Sequence, residues 1–139
     1  MQFLTLNINV DVDTLLAHVN TYSPRGVELL TINFPDPLFK PKHKKRRVVT
    51  DDFVDSVFAG CNEGTRVFMQ SDIQDVVDDM RESFRRHDGF VDLAGDDLEV
   101  YYDGWVTEDG AGYTMTEREK TVINKDGSVW KACFVVKRE

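Results

Sequence analysis

The reading of the fold turns on one stretch, Val27-Glu28-Leu29-Leu30-Thr31-Ile32-Asn33-Phe34-Pro35-Asp36-Pro37. Its first eight residues are largely apolar and rich in branched side chains, which predicts a strand buried on both faces in a parallel sheet. Pro35 and Pro37 then remove two backbone donors and fix φ twice. The strand therefore stops at Phe34, and Asp36 is held as a preorganised carboxylate in a rigid loop.

Outward from this stretch the pattern alternates. Upstream, Phe3 to Ile8 alternates apolar and polar residues, as a strand does. From Asp11, a plausible cap by residue type, Val12, Leu15, Leu16 and Val19 follow helical spacing, and Ser23-Pro24-Arg25-Gly26 is a turn by composition. Downstream, Thr50 caps a helix carrying Phe53, Val54, Val57 and Phe58 that stops near Gly60 to Gly64, and Thr65 to Gln70 reads as a strand. Ser71 or Asp72 opens the clearest helix, with Ile73, Val76, Val77, Met80 and Phe84 on one face. His87 to Gly112 is acidic and weakly patterned, with Leu98 to Tyr102 the best strand inside it. Thr114 to Ile123 reads as a short helix, and Val129 to Lys137 as a last strand with Trp130, Ala132, Phe134 and Val136 on one face. Strands alternating with helices call for an α/β layered domain.

The chain has 139 residues, enough for one compact domain and too few for two ordinary ones. Apolar residues make up 41% and charged residues 30%, which excludes a disordered chain, and no stretch approaches the roughly 20 apolar residues of a membrane span. No basic n-region of a signal peptide is readable after Met1. Cys61 and Cys133 lack ligand-like neighbours and are expected to be reduced core thiols, in a cytoplasmic setting with nucleus or organelle left open.

The net charge of −8 argues against a polyanionic partner until its distribution is seen. Lys40, Lys42, Lys44, Lys45, Arg46 and Arg47 lie within eight residues, with His43 among them and no acid. Setting those six aside leaves 11 cations against 25 acids, a balance of −14. Such a run repels itself and needs solvent or an anion. It is either a solvated loop, as in a nuclear-import-like segment, or a phosphate-binding segment of the kind that neutralises a nucleic-acid backbone.

Ligands of open parallel sheets bind beyond the carboxyl ends of the strands. Asn9, Asp36 and Asp72 each follow a predicted strand. Helix capping is the competing explanation for Asn9 and Asp72. Asp36, between its prolines and four residues ahead of Lys40, is harder to explain that way.

The segment Asn33-Phe34-Pro35-Asp36-Pro37-Leu38-Phe39-Lys40-Pro41-Lys42-His43-Lys44-Lys45-Arg46-Arg47 resembles the signature of the tRNA (guanine-N7-)-methyltransferases. That family carries an [Asn/Phe]-Phe-[Ser/Pro]-Asp-Pro-Trp segment followed by Lys-x-Arg-His-x-Lys-Arg-Arg. The similarity extends through Gln70-Ser71-Asp72, through Thr116-Glu117-Arg118-Glu119, and upstream to Leu6-Asn7-Ile8-Asn9. The resemblance implies a Rossmann-like class I methyltransferase fold, a three-layer α/β arrangement whose mixed sheet has an antiparallel last strand. It implies S-adenosylmethionine as cofactor and tRNA as partner, with methyl transfer to N7 of a guanine in the variable region. Residue by residue, it makes Asp36 the catalytic and cofactor-proximal carboxylate, with Asn9 a further cofactor contact. Lys40, Lys42, His43, Lys44, Lys45, Arg46 and Arg47 become tRNA contacts. Asp72, Thr116, Glu117, Arg118 and Glu119 become binders of the substrate nucleotide.

Two substitutions depart from the pattern. Leu38 stands where the family usually has Trp, and Lys42 where it usually has Arg, which keeps the charge without bidentate geometry. The stretch from Asp92 to Gly110 matches no family segment. No Gly-rich turn of the kind that admits the cofactor is present either. In the family's sheet order, 3-2-1-4-5-7-6, strands 1 and 2 are then unaccounted for. Residues 1–139 are expected to form the C-terminal part of the domain, strands 3 to 7, either as a fragment of a longer gene product or completed by a partner. Val27 to Phe34 becomes an apolar edge in that case. A truncated RNA-binding module that has lost its cofactor is the alternative function.

Among the other residues of interest, His18 is expected on a helix surface and His87 at a helix end. Trp105, Tyr101 and Tyr102 are expected to pack a loop on the core rather than stack on a base.

Overall fold

A computed structural model describes residues 8–38, 47–93, 117–125, 127 and 129–138, with side chains from residue 11 onward. The elements run α1 (Ile8–Tyr22), β1 (Leu29–Asn33), α2 (Asp51–Gly60), β2 (Arg66–Ser71), α3 (Gln74–Arg85), β3 (Phe90–Asp92), α4 (Glu117–Asn124) and β4 (Trp130–Val136).

The four strands form one mixed sheet in the order β1-β2-β4-β3. β1 lies parallel to β2, and β4 lies antiparallel to both β2 and β3. This is the order and polarity of strands 4-5-7-6 in the sheet that the resemblance implies, so the expected fold class is borne out. Among the described residues β1 pairs with β2 alone and forms one edge of the described sheet. Burial on both faces, expected of Val27 to Phe34, does not hold. Ile32 is buried, whereas Thr31 and Asn33 on the other face are exposed.

Period-two alternation gives the sheet two faces. Val67 and Met69 of β2 join Ala132, Phe134 and Val136 of β4 on the face that meets α1, α2 and α3. Val12 and Leu16, then Val54 and Val57, then Val76, Val77, Met80 and Phe84 supply the helical half of that core. Each such side chain, fully buried, contributes about 1.5–3 kcal/mol. Phe84 anchors the far end, edge-on to Phe90 at 4.9 Å and stacked with Phe134 at 5.3 Å. Gly60 permits the close approach of α1 to α2, since a Cβ there would come within 2.6 Å of Leu16 Cδ1.

Several boundaries differ from those expected. α1 already begins at Ile8, which places Asp11 inside the first turn, where its charge suits the helix dipole, rather than at the cap. Thr50 does cap α2, its side chain accepting from Phe53 N at 3.2 Å. α3 starts only at Gln74, with Ile73, whose side chain has no acceptor, at its N-cap; the Ser71 hydroxyl accepts the Ile73 N–H in a turn before the helix. β3 was hidden within the weakly patterned region, since three residues are too few to show alternation. The strand expected at Leu98 to Tyr102 and the aromatic residues Tyr101, Tyr102 and Trp105 lie outside the described residues; of the strand expected at Phe3 to Ile8, Ile8 is instead the first residue of α1 and the rest lies outside them. Cys61 and Cys133 are buried thiols, as expected.

Candidate functional site at the carboxyl ends of β1 and β2

β1 and β2 are neighbouring parallel strands, so their carboxyl ends open at the same edge about 4.8 Å apart. The last register pair is Asn33 with Gln70, and Gln70 Nε2 donates to Asn33 Oδ1 at 2.9 Å. One residue further, Phe34 N donates to Gln70 O at 2.8 Å. The chain then turns sharply. Phe34 has φ +49° and Leu38 φ +42°, the left-handed region that non-glycine residues seldom enter. Two such residues bracket Pro35-Asp36-Pro37, and strain of this kind collects at sites where surrounding contacts enforce it.

Three contacts enforce it here. Asp36 Oδ1 accepts the Leu38 N–H at 3.2 Å, which fixes the carboxylate within its own turn. Arg47 donates from Nε to Pro37 O at 2.8 Å and from Nη1 to Asp79 Oδ2 of α3 at 2.9 Å. Behind the loop, Pro35, Asp36, Val49, Val76 and Met80 wall a cavity of about 10 Å³, room for one water. Asp36 itself is exposed and makes no ion pair among the described residues.

Asp72, two residues beyond β2's Gln70, is not a helix cap. Its Oδ2 accepts from Arg118 Nη2 of α4 at 2.7 Å, and the Arg118 guanidinium also lies 6.0 Å from the Phe34 ring centroid. Glu119, the next residue of α4, points inward. It is fully buried against the sheet face opposite the helical core, with its Oε1 3.0 Å from Lys131 Nζ of β4. The adjacent residues Arg118 and Glu119 thus hold α4 from two sides, one at the site and one beneath it.

The structure therefore brings Asp72 and Arg118 together beside Phe34, and holds Asp36 two residues further along the same loop, which Arg47 braces from behind. Arg47, the last residue of the basic run, is turned inward, its side chain only 14% exposed. Glu117 is exposed and pairs with Lys120 within α4. Asn9 lies in the first turn of α1. Lys40, Lys42, His43, Lys44, Lys45, Arg46 and Thr116 lie outside the described residues. Sequence reasoning missed Phe34 and Asp79 as parts of the site. The Phe34-Pro35 step marked the former, since a residue before proline is barred from the right-handed helical region. His18 lies on α1 with its ring tilted against Tyr22 at 4.8 Å, and His87 follows α3 beside Phe58 at 4.6 Å.

Comparison with known proteins agrees with this architecture. A family model described as "Putative methyltransferase" matches residues 4–132. The chain belongs to this methyltransferase family. Among curated relatives, a tRNA (guanine-N(7)-)-methyltransferase of Thermosynechococcus vestitus is 34% identical over 134 residues, 96% of this chain and 56% of the relative. The protein of the same name from Microcystis aeruginosa is 35% identical, over 99% of this chain and 60% of the relative. A third, from Synechococcus sp. strain JA-2-3B'a(2-13), is 40% identical over 92 residues. The chain thus spans a little over half the length of the first two relatives. The family resemblance carried by Asn33 to Arg47 is borne out. Among the described residues no helix is long and apolar enough to cross a membrane.

The methyl donor implied by this family can be tested against the site's own chemistry. An exposed carboxylate, oriented by its own turn and free of internal cations among the described residues, suits a cationic or hydroxyl-bearing ligand. Asp36 fits that part.

Proposed function

We propose that this chain is the substrate-binding part of an S-adenosylmethionine-dependent tRNA (guanine-N7-)-methyltransferase, acting in the cytoplasm. The observation that carries the reading is the pair of carboxylates, Asp36 and Asp72, at adjacent carboxyl ends of β1 and β2. Asp36 is fixed in a strained loop and the six-cation run starts four residues beyond it. The names borne by the cyanobacterial relatives support the same substrate.

The cofactor supplies an electrophilic methyl group. Asp36, with Asn9, is assigned to its side of the site. Guanine N7 already carries a lone pair in the ring plane, so no residue need act as a strong base. What remains for the protein is orientation. Asp72 accepts hydrogen bonds from guanine N1–H and N2–H₂, which leaves N7 on the far side of the ring facing the donor and Asp36. Both carboxylates also offset the positive charge that the ring acquires. Lys40, Lys42, His43, Lys44, Lys45 and Arg46 neutralise phosphates of the tRNA. Arg47 holds the Asp36 loop in place, Thr116, Glu117 and Arg118 are assigned to the substrate nucleotide, and Glu119 supports them from beneath through Lys131.

The experiment joins this chain to the remaining part of the M. aeruginosa relative and measures 7-methylguanosine in tRNA by mass spectrometry. Asp36→Ala is expected to abolish methylation while tRNA affinity stays within about twofold. Retained turnover in that variant refutes the assignment, and loss of tRNA binding with it refutes the division of labour.

A further inference from the structure

Arg118 makes one contact whose chemistry deserves comparison with the substrate's. Its guanidinium is planar, donates an N–H to Asp72 Oδ2 at 2.7 Å, and lies 6.0 Å from the Phe34 ring centroid, within the range of a cation–π contact. The Watson–Crick edge of guanine offers the same pattern: a planar group with adjacent N–H donors, able to stack on an aromatic ring and to bind a carboxylate through both oxygens. Arginine forks and carboxylates match for the same geometric reason.

We infer that Arg118 is an internal stand-in for guanine, occupying Asp72 in the free protein and yielding it when the base arrives. This rests on the reading that Asp72 is a guanine-binding carboxylate. With Oδ2 taken by Arg118, Asp72 cannot accept guanine N1–H and N2–H₂ together, so binding and displacement are coupled. The arrangement suits displacement. Arg118 is 58% exposed at the side chain and can swing into solvent, whereas Asp72 is 24% exposed and stays at the strand end. The neighbouring Glu119–Lys131 pair holds α4 in place while Arg118 moves. Bases lacking the adjacent donors, such as adenine, cannot replace the guanidinium on the carboxylate, so the exchange itself selects guanine.

The test uses the 139-residue chain and neutral guanosine, which removes any attraction between Arg118 and phosphate. Affinity is measured by NMR titration for wild type, Arg118→Ala, Arg118→Lys and the double variant Arg118→Ala/Asp72→Asn. Removing the competitor is expected to tighten guanosine binding about three- to tenfold, the scale of a partly exposed ion pair. Arg118→Lys, which keeps the charge without the planar fork, is expected to fall between. Adenosine affinity is expected to be unchanged, and the double variant to lose the gain. Guanosine binding that is equal or weaker in Arg118→Ala, yet still lost on Asp72→Asn, overturns the stand-in while leaving Asp72 as guanine reader. Guanosine binding in the double variant equal to that of Arg118→Ala overturns the role of Asp72 and the inference with it, as does no binding in Arg118→Ala.

Discussion

Arg47 Nη1 lies 2.9 Å from Asp79 Oδ2, so the end of the basic segment is tied to the middle of α3. The same guanidinium holds Pro37 O through Nε. One side chain therefore fixes the loop that carries Asp36 against the helix behind it. A run of cations that looks uniform in the sequence is divided, its last member serving the fold.

Replacing Arg47 with Met should cost about 1–2 kcal/mol, because two hydrogen bonds are lost while Asp79 remains half-exposed and can turn to water. Arg47→Lys should recover less than half, since one ammonium cannot span the Pro37 carbonyl and the Asp79 carboxylate in the manner of a fork. Urea unfolding followed by circular dichroism measures both.

The Glu119–Lys131 pair is the inverse case. Glu119 is fully buried and Lys131 is 14% exposed. Lys131→Met should destabilise by about 3–5 kcal/mol by leaving a carboxylate without its cation, and Glu119→Leu/Lys131→Met should regain most of that. Thermal unfolding of the two variants decides the point. Equal losses in both would show that the pair's shape rather than its charge matters.

Gly89 faces the Phe58 ring, which His87, Phe90 and the Arg138 guanidinium already surround at 4.6, 5.9 and 4.2 Å. A Cβ at Gly89 would overlap that ring. Gly89→Ala should cost about 1–3 kcal/mol through overpacking, read as a lower denaturation midpoint at unchanged slope.

Burial pushes the Cys61 thiol above its usual range, and the nearby Arg138 only partly opposes this. A raised folded value means that the unfolded thiol ionises first as pH rises. The associated stability is complete below about pH 8.5 and declines above it. Denaturation midpoints from pH 7 to 10 should fall more steeply for the wild type than for Cys61→Val. Iodoacetamide should label Cys61 only when the chain unfolds.

The sequence carried the fold through its strongest periodicities. Val76, Val77, Met80 and Phe84 on α3, and the alternation of β4, needed no tertiary information. Element ends were less legible, because the Ser71 hydroxyl accepts the Ile73 N–H and holds a turn ahead of α3 that residue types alone leave undecided. The edge character of β1 was visible only through the strand order that the family implies. At the site, Asp36 was legible from its prolines. The pairing of Asp72 with Arg118, 46 residues later, was not, because nothing local couples a strand end to a distant helix.

In the proposed mode, Asp72 at the end of β2 grips the N1–H and N2–H₂ edge of guanine and leaves N7 exposed to the methyl donor on the Asp36 side. The most direct measurement compares methylation of tRNA carrying guanosine with tRNA carrying inosine at the acceptor position, using the full-length joined enzyme. Inosine keeps N7 and N1–H but lacks the 2-amino group. The account predicts that kcat/KM falls at least about tenfold with inosine in the wild type, and that Asp72→Asn erases most of that difference. Equal rates for the two substrates in the wild type would contradict it.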